Sequence, residues 1–167
     1  MIDDKGVSIL ELAIAVVIIG VLATIAIPNF QSWIAYQQLR SDTTQVSGDL
    51  QSARITAINQ NVPITLKFNT PAAGQYIAFV DNGSGGGTAR DLQQNGTETL
   101  LFTRTLNPAD QLLFTGACAN GAAVLFNAKG FLGAPLGGNP WCVILASTKS
   151  PIKHQVSVSW IGDVSAN

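Results

Sequence analysis

Residues 12–27 read LAIAVVIIGVLATIAI, sixteen positions without a charge. Taken from Val7, the apolar run is 21 residues long, and Ser8 and Glu11 are its only strongly polar interruptions. At about 1.5 Å per residue a helix of that run is about 31 Å long, roughly one bilayer hydrocarbon core. After Glu11 the next charge is Arg40, so the pattern predicts a transmembrane segment over 7–29. Beyond it the pattern changes. Leu39, Val46, Leu50, Ala53 and Ala57 recur at steps of seven, four, three and four, a single apolar stripe at helical spacing. One helix of about fifty residues follows, apolar all round at first and amphipathic to about residue 60. Gly20 and Pro28 are its expected bending points, and Asn61-Val62-Pro63 ends it.

After Pro63 the period shortens to two. Strands are expected over 64–68, 76–80, 100–105, 122–127, 142–147 and 155–160. The stretch 81–87, with Gly83, Gly85, Gly86 and Gly87, reads as a flexible loop, and 130–140 as a Gly/Pro-rich turn region. The class is α+β: one long N-terminal helix, its first half transmembrane, with its second half packed on an antiparallel β-sheet domain.

Composition agrees with that division. Of the 167 residues 47% are hydrophobic and only 11% charged, against about 25% charged in ordinary soluble domains. Nine basic and ten acidic side chains leave a net charge of −1, which excludes a broadly basic nucleic-acid binder. A secretory signal peptide fits poorly: Asp3, Asp4 and Lys5 do not make a positive start, and the apolar run is too long. Glu11 stands out. A carboxylate inside a membrane segment costs about 2.5–3.5 kcal/mol on insertion scales and should find a partner. Either Glu11 reaches water at the membrane edge, or a cation stands beside it. A free amino terminus created near Lys5-Gly6-Val7 would serve.

Lys5-Gly6-Val7-Ser8-Ile9-Leu10-Glu11 resembles the cleavage and methylation site of type IV prepilins and type II secretion pseudopilins. In that family a short leader ends in Gly, the next residue becomes the N-methylated terminus, and Glu is the fifth mature residue. The resemblance implies a leader of residues 1–6, cleavage between Gly6 and Val7, methylation of Val7, and a filament-assembly role for Glu11 against a neighbour's terminal amine. Val7 replaces the family's usual Phe, and the leader has one base, Lys5. Pro28 falls at the mature position where these proteins often carry a helix-bending proline. Further on, Leu50-Gln51-Ser52-Ala53-Arg54-Ile55-Thr56-Ala57-Ile58 and Val62-Pro63-Ile64-Thr65-Leu66 resemble segments of H-type pseudopilins and FimT-type minor pilins. Val124-Leu125-Phe126-Asn127-Ala128-Lys129-Gly130 resembles their strand-turn. Val156 to Val164 resembles their terminal strand, with Asp163 where Arg is usual.

What the resemblance implies is a pilin-like fold and a structural role. The chain is expected as a single-pass protein of the bacterial inner membrane, residues 30–167 lying in the periplasm. It would be a subunit of a type II secretion pseudopilus or type IV pilus. Its partners would be other pilins or pseudopilins, a prepilin peptidase that also methylates, and an inner-membrane assembly platform. No cofactor is implied.

Catalytic chemistry finds little support. The glycine run lacks the Gly-Lys-Ser/Thr of a phosphate loop. His154 is the only histidine, no G-x-S-x-G elbow or H-E-x-x-H spacing exists, and neither a hydrolase triad nor a metal site is indicated. His154 reads as a solvated turn residue. Cys118 and Cys142 are either a disulfide or two buried thiols, and an oxidising periplasm favours the bond. The alternative function is a DNA-binding minor pilin of a transformation pilus. FimT-type proteins resemble DNA-uptake receptors as a group, and cations of the C-terminal tail would neutralise phosphates there. Here Asp163 occupies that position, and Lys149 and Lys153, beside His154, are the local cations left as weak contacts. With the leader removed, basic and acidic side chains balance, which argues against nucleic acid.

Overall fold

The computed structural model describes residues 8–115, 118, 121–133 and 140–167. Among these residues one α-helix, α1 (Ile9–Gln60), precedes eight strands. Two compact units divide at Ile34 and Ala35.

Ser8 starts the helix. Its carbonyl accepts the first intrahelical bond from Leu12 N at 3.1 Å, and its hydroxyl accepts from the Leu10 amide at 3.3 Å, which satisfies one of the helix's otherwise orphaned donors. In the first unit Ile9, Val16, Val17, Ile18, Ile19 and Leu22 are all more than half exposed. Consecutive positions point in different directions, so no face is polar. The rings of Phe30 and Trp33, one turn apart, stack at 5.7 Å. Among the described residues no single helix is long and apolar enough to cross a membrane. The pieces Ile9–Thr24 and Asn29–Gln60 pass together on length and composition, and the interval between them contains Pro28.

In the second unit α1 buries its stripe. Leu39, Val46, Leu50 and Ala57 are fully buried and Ala53 nearly so. Asn61, with φ at +55°, ends the helix, and Pro63 follows, where a further helical turn would lack its N–H. Eight strands then build two antiparallel sheets. The first has the order β3-β2-β1-β5, from β1 (Ile64–Phe68), β2 (Gln75–Val80), β3 (Leu100–Thr105) and β5 (Ala123–Phe126). The second has the order β4-β6-β7-β8, from β4 (Asp110–Leu113), β6 (Trp141–Ser147), β7 (Lys153–Val158) and β8 (Val164–Ala166).

One core joins stripe and sheets. Leu66, Phe68, Tyr76 and Phe126 enter it from the first sheet, and Trp141, Val143, Leu145, Val156 and Val158 from the second. Phe68 stacks on Trp141 at 5.1 Å, and the indole N–H donates to the Gly121 carbonyl at 3.0 Å, so its one polar atom is satisfied on burial. Each fully buried aliphatic side chain contributes about 1.5–3 kcal/mol.

The α+β reading holds, with differences. The strands form two sheets, and β4 and β8 are additional to those expected. His154 lies inside β7, its ring 6.0 Å from Tyr36, and is no solvated turn. The loop expected to be flexible is pinned by two buried acids. Asp81 accepts from Thr65 Oγ1 at 2.8 Å and from the amides of Arg90 and Leu92 at 2.5 and 3.0 Å. Glu98 accepts from the amides of Gly83 and Asn95 at 2.9 and 3.0 Å. A carboxylate with two or three such donors is stable without a counter-ion.

Candidate functional site

Two places carry the sequence motifs. The first is the start of α1. Gly6 and Val7 lie outside the described residues. Glu11 stands three residues after the Ser8 cap, in the first helical turn, and is exposed. Ser8-Ile9-Leu10-Glu11 has the spacing of a capping box, and a carboxylate there opposes the positive end of the helix dipole. Local geometry therefore gives Glu11 a reason to sit at this position before any partner is considered.

The second place is the far end of α1, where three motif segments converge. The Arg54 guanidinium donates to the Gly130 carbonyl through Nε (3.1 Å), to the Ile161 carbonyl through Nη2 (2.8 Å), and to Asp163 Oδ1 through Nη1 (2.9 Å). One side chain thus ties the helix to the turn after β5 and to the turn after β7. Both glycines are required. Gly162 has φ +84°, and a Cβ on it would lie 2.1 Å from the Gly130 carbonyl oxygen and 2.8 Å from Arg54 Nε. Gly130 has φ +77°, and a Cβ on it would lie 2.5 Å from Ile58 Cδ1. Left-handed backbone and close approach together leave no room for another residue. The ion pair itself is partly solvated, with side-chain exposures of 30% and 65%, so its charge contributes little beyond the geometry.

Asp163, where Arg is usual, is thereby engaged. The sequence quoted Arg54, Gly130 and Asp163 as separate likenesses; their meeting at one point was not expected from spacing, since 76 and 109 positions separate Arg54 from its partners. A second tie was also missed. Asp49 accepts from the Tyr76 hydroxyl at 2.7 Å and from Arg104 Nε at 3.1 Å. Burial first, and the adjacent Asp49 second, push the Tyr76 hydroxyl above its ordinary range.

The remaining expected residues are dispersed. Cys118 and Cys142 are joined in a disulfide that closes a 24-residue separation onto β6, worth about 3 kcal/mol in the chain-entropy account. Lys149 follows β6 and Lys153 opens β7, both exposed. No Lys or Arg follows them in the sequence to residue 167, and Asp163 there is paired with Arg54. Among the described residues no three His, Cys, Asp or Glu side chains gather to hold a metal. A groove of about 720 Å³ on the second sheet is lined by Gln155, Ser157, Ser159, Ile161, Asp163 and Ser165. The Ser157 and Ser165 hydroxyls there bond to each other at 2.8 Å.

Comparison with known proteins agrees with this geometry. A family model described as type II transport protein GspH matches residues 42–162, a range that includes Arg54, Gly130 and Gly162. A fimbrial protein of Pseudomonas aeruginosa is 32% identical over 130 residues, covering 75% of this chain and 80% of that protein. The type IV major alpha-pilin of Moraxella bovis is 31% identical over 108 residues, and the chain spans 65% of that pilin's length. Among solved structures, the type IV minor pilin FimU of Pseudomonas aeruginosa matches with TM-score 0.56 at 13% identity, over 79% of this chain and 90% of that one. The minor pseudopilin EpsH from the type 2 secretion system of Vibrio cholerae matches with TM-score 0.53 at 13% identity, over 78% and 96%. At that identity the likeness is one of fold, and the fold is the pilin-like one.

Proposed function

The chain belongs to the family of the type II transport protein GspH, and from that premise we propose that it is a minor pilin or pseudopilin, a structural subunit of a type II secretion pseudopilus or type IV pilus. Prepilin peptidase removes residues 1–6 and methylates Val7. The mature chain is anchored in the inner membrane by its apolar helix, with the β-rich unit in the periplasm. An assembly platform then transfers it into a filament with other pilins.

The observation that carries this reading is the helix over 9–34, whose large described apolar side chains are exposed, with Glu11 as its single charge. Such a surface is stable in lipid or against other apolar helices, and in neither place does a lone carboxylate rest unpaired. A methylated amine on Val7 of a neighbouring subunit is its natural complement. In low dielectric that pair fixes register between subunits more than it adds stability. Pro28 gives the helix a place to bend where neighbouring helices resatisfy the freed carbonyl. The pairing of Asp163 with Arg54 favours this structural role over duplex binding, because the tail position that would offer a cation offers a neutralised carboxylate.

Intact mass of the membrane-extracted protein, from hosts with and without the peptidase, tests the reading. Loss of residues 1–6 with gain of one methyl group, only where the peptidase is present, is expected. Glu11→Ala should still be cleaved and should fail to enter sheared filaments. An unchanged N-terminus in both hosts would make the helix a plain anchor and remove the role of Glu11.

A further inference from the structure

Lys149 and Lys153 take no part in the Arg54 and Asp49 ties. They flank the turn that joins β6 to β7, and both are exposed. Among the described residues neither ammonium group has an ion-pair partner. Pro151 and Ile152 lie between them, and Ile152 is 44% exposed. No acid occurs from Gln111 to Gly162, so nothing on β5, β6 or β7 offsets the two charges. An apolar tip between unpaired cations is the composition of a segment that rests on a bilayer surface. The apolar part enters the headgroup boundary, and the lysine stems let their charges stay at the level of the phosphates.

The fold puts this turn at the end of the β-rich unit where α1 enters it. The His154 ring, one residue past Lys153, lies 6.0 Å from the ring of Tyr36, the second residue of that unit. Arg40, exposed one turn further along α1, lines a groove with Tyr36, His154 and Asn167. Three cations therefore gather at this end. Its acids are Asp42, half-buried and accepting from the Asn107 amide at 2.8 Å, and Asp110, which is buried opposite Ser147 just before the turn. The exposed charge here is thus predominantly positive. The chain also marks its own water boundary just ahead. Phe30 and Trp33 are more than half exposed where the apolar run ends, and Trp is enriched where membrane-spanning segments meet water. Trp33 and Arg40 are seven positions apart, about 10 Å of helical rise and close to one Debye length at physiological salt.

We propose that the β6–β7 turn, through Lys149, Ile152 and Lys153, forms with Arg40 of α1 a contact surface for anionic phospholipid headgroups. The proposal rests on the membrane-anchored reading, because the anchor is what brings this end of the unit to a bilayer. Each cation near an anionic surface multiplies association by about fivefold. Duplex DNA offers phosphates as well. To reach these cations it would have to lie against a bilayer of its own charge sign, and three cations supply few of the contacts from which duplex affinity is built.

The full chain in lipid nanodiscs tests this, with a gadolinium chelate carried on a lipid headgroup and amide line broadening as the readout. In discs of phosphatidylcholine mixed with phosphatidylglycerol, the amides of Lys149, Ile152 and Lys153 should broaden several-fold more than in phosphatidylcholine alone, and added salt should reduce the difference. Changing both lysines, Lys149→Glu with Lys153→Glu, should abolish it, while the comparison of lipids in wild type needs no variant. The Gly162 amide, at the far end of the unit's helix, should stay sharp throughout. Equal broadening of the turn in the two compositions would overturn the proposal. The amides of Trp33 and Tyr36 separate that failure from failure of the anchor. They should broaden in both compositions; if they do not, the helix is not seated in the bilayer, and the membrane-anchored reading falls together with the proposal. A duplex DNA oligonucleotide added to phosphatidylcholine discs is the last arm. Shifts of the Lys149 and Lys153 amides at physiological salt would make the turn a nucleic-acid contact and overturn the lipid assignment; no shift is the expected result.

Discussion

Residues 9–34 and 35–60 belong to one helix, yet they obey different rules. The first stretch is the more apolar, and its large described apolar side chains are exposed. The second carries Arg40, Asp42, Asp49 and Arg54 and buries a full stripe. Hydrophobicity alone thus does not decide where a helix finds its partner; the spacing of the apolar positions does. A stripe of one face calls for one surface, which the same chain supplies as two sheets. An apolar circumference calls for apolar surroundings on every side.

The sharpest way to break the comparison is a matched pair of truncations. Leu50→Ala opens a cavity in the joint core and should lower the urea-unfolding free energy by about 2–5 kcal/mol. Leu22→Ala, 60% exposed in wild type, should leave the same transition within about 0.5 kcal/mol. Equal effects would mean that the first half also packs on the β-rich unit. Next in size is Gly162→Ala, which forces a side chain into a left-handed backbone position and against the Gly130 carbonyl. It should cost about 2 kcal/mol and raise hydrogen exchange in the turns after β5 and β7 together. Exchange changing in one turn alone would show that Arg54 does not couple them. Smallest is Asp163→Arg, which places the family's usual residue against Arg54. It should cost about 1 kcal/mol or less at low salt, and the difference should shrink on adding salt. A loss as large as that of Gly162→Ala would make the ion pair, and not the carbonyl contacts, the principal tie.

Much of this was legible in the chain. The stripe from Leu39 to Ala57 was, because helical spacing is a local property and all five residues prove buried. Six strands were legible from alternation and bounding turns. β4 and β8 were not: at four and three residues they are too short for a period to register, and they exist because β6 and β7 offer them edges. The division into two sheets was hidden as well, since the pairing of β1 with β5 on the edge that β2 leaves open joins strands far apart in the sequence. At the site, the family-like segments around Arg54, Gly130 and Gly162 were readable one at a time. Their convergence was not, because nothing in a linear pattern says that a guanidinium will reach two carbonyls on distant turns.

The Arg54 tie also sets a schedule for the chain's birth. Its ion-pair partner lies 109 positions downstream, and at synthesis rates of about 5–20 residues per second that distance takes roughly 5 to 20 s to traverse. Throughout that interval the stripe has been made and Val156, Val158 and Asp163 have not. The helix must wait without the part of its cover that the last strands supply, and a newborn copy is at its most vulnerable to premature association there, before the last turn arrives to fasten it.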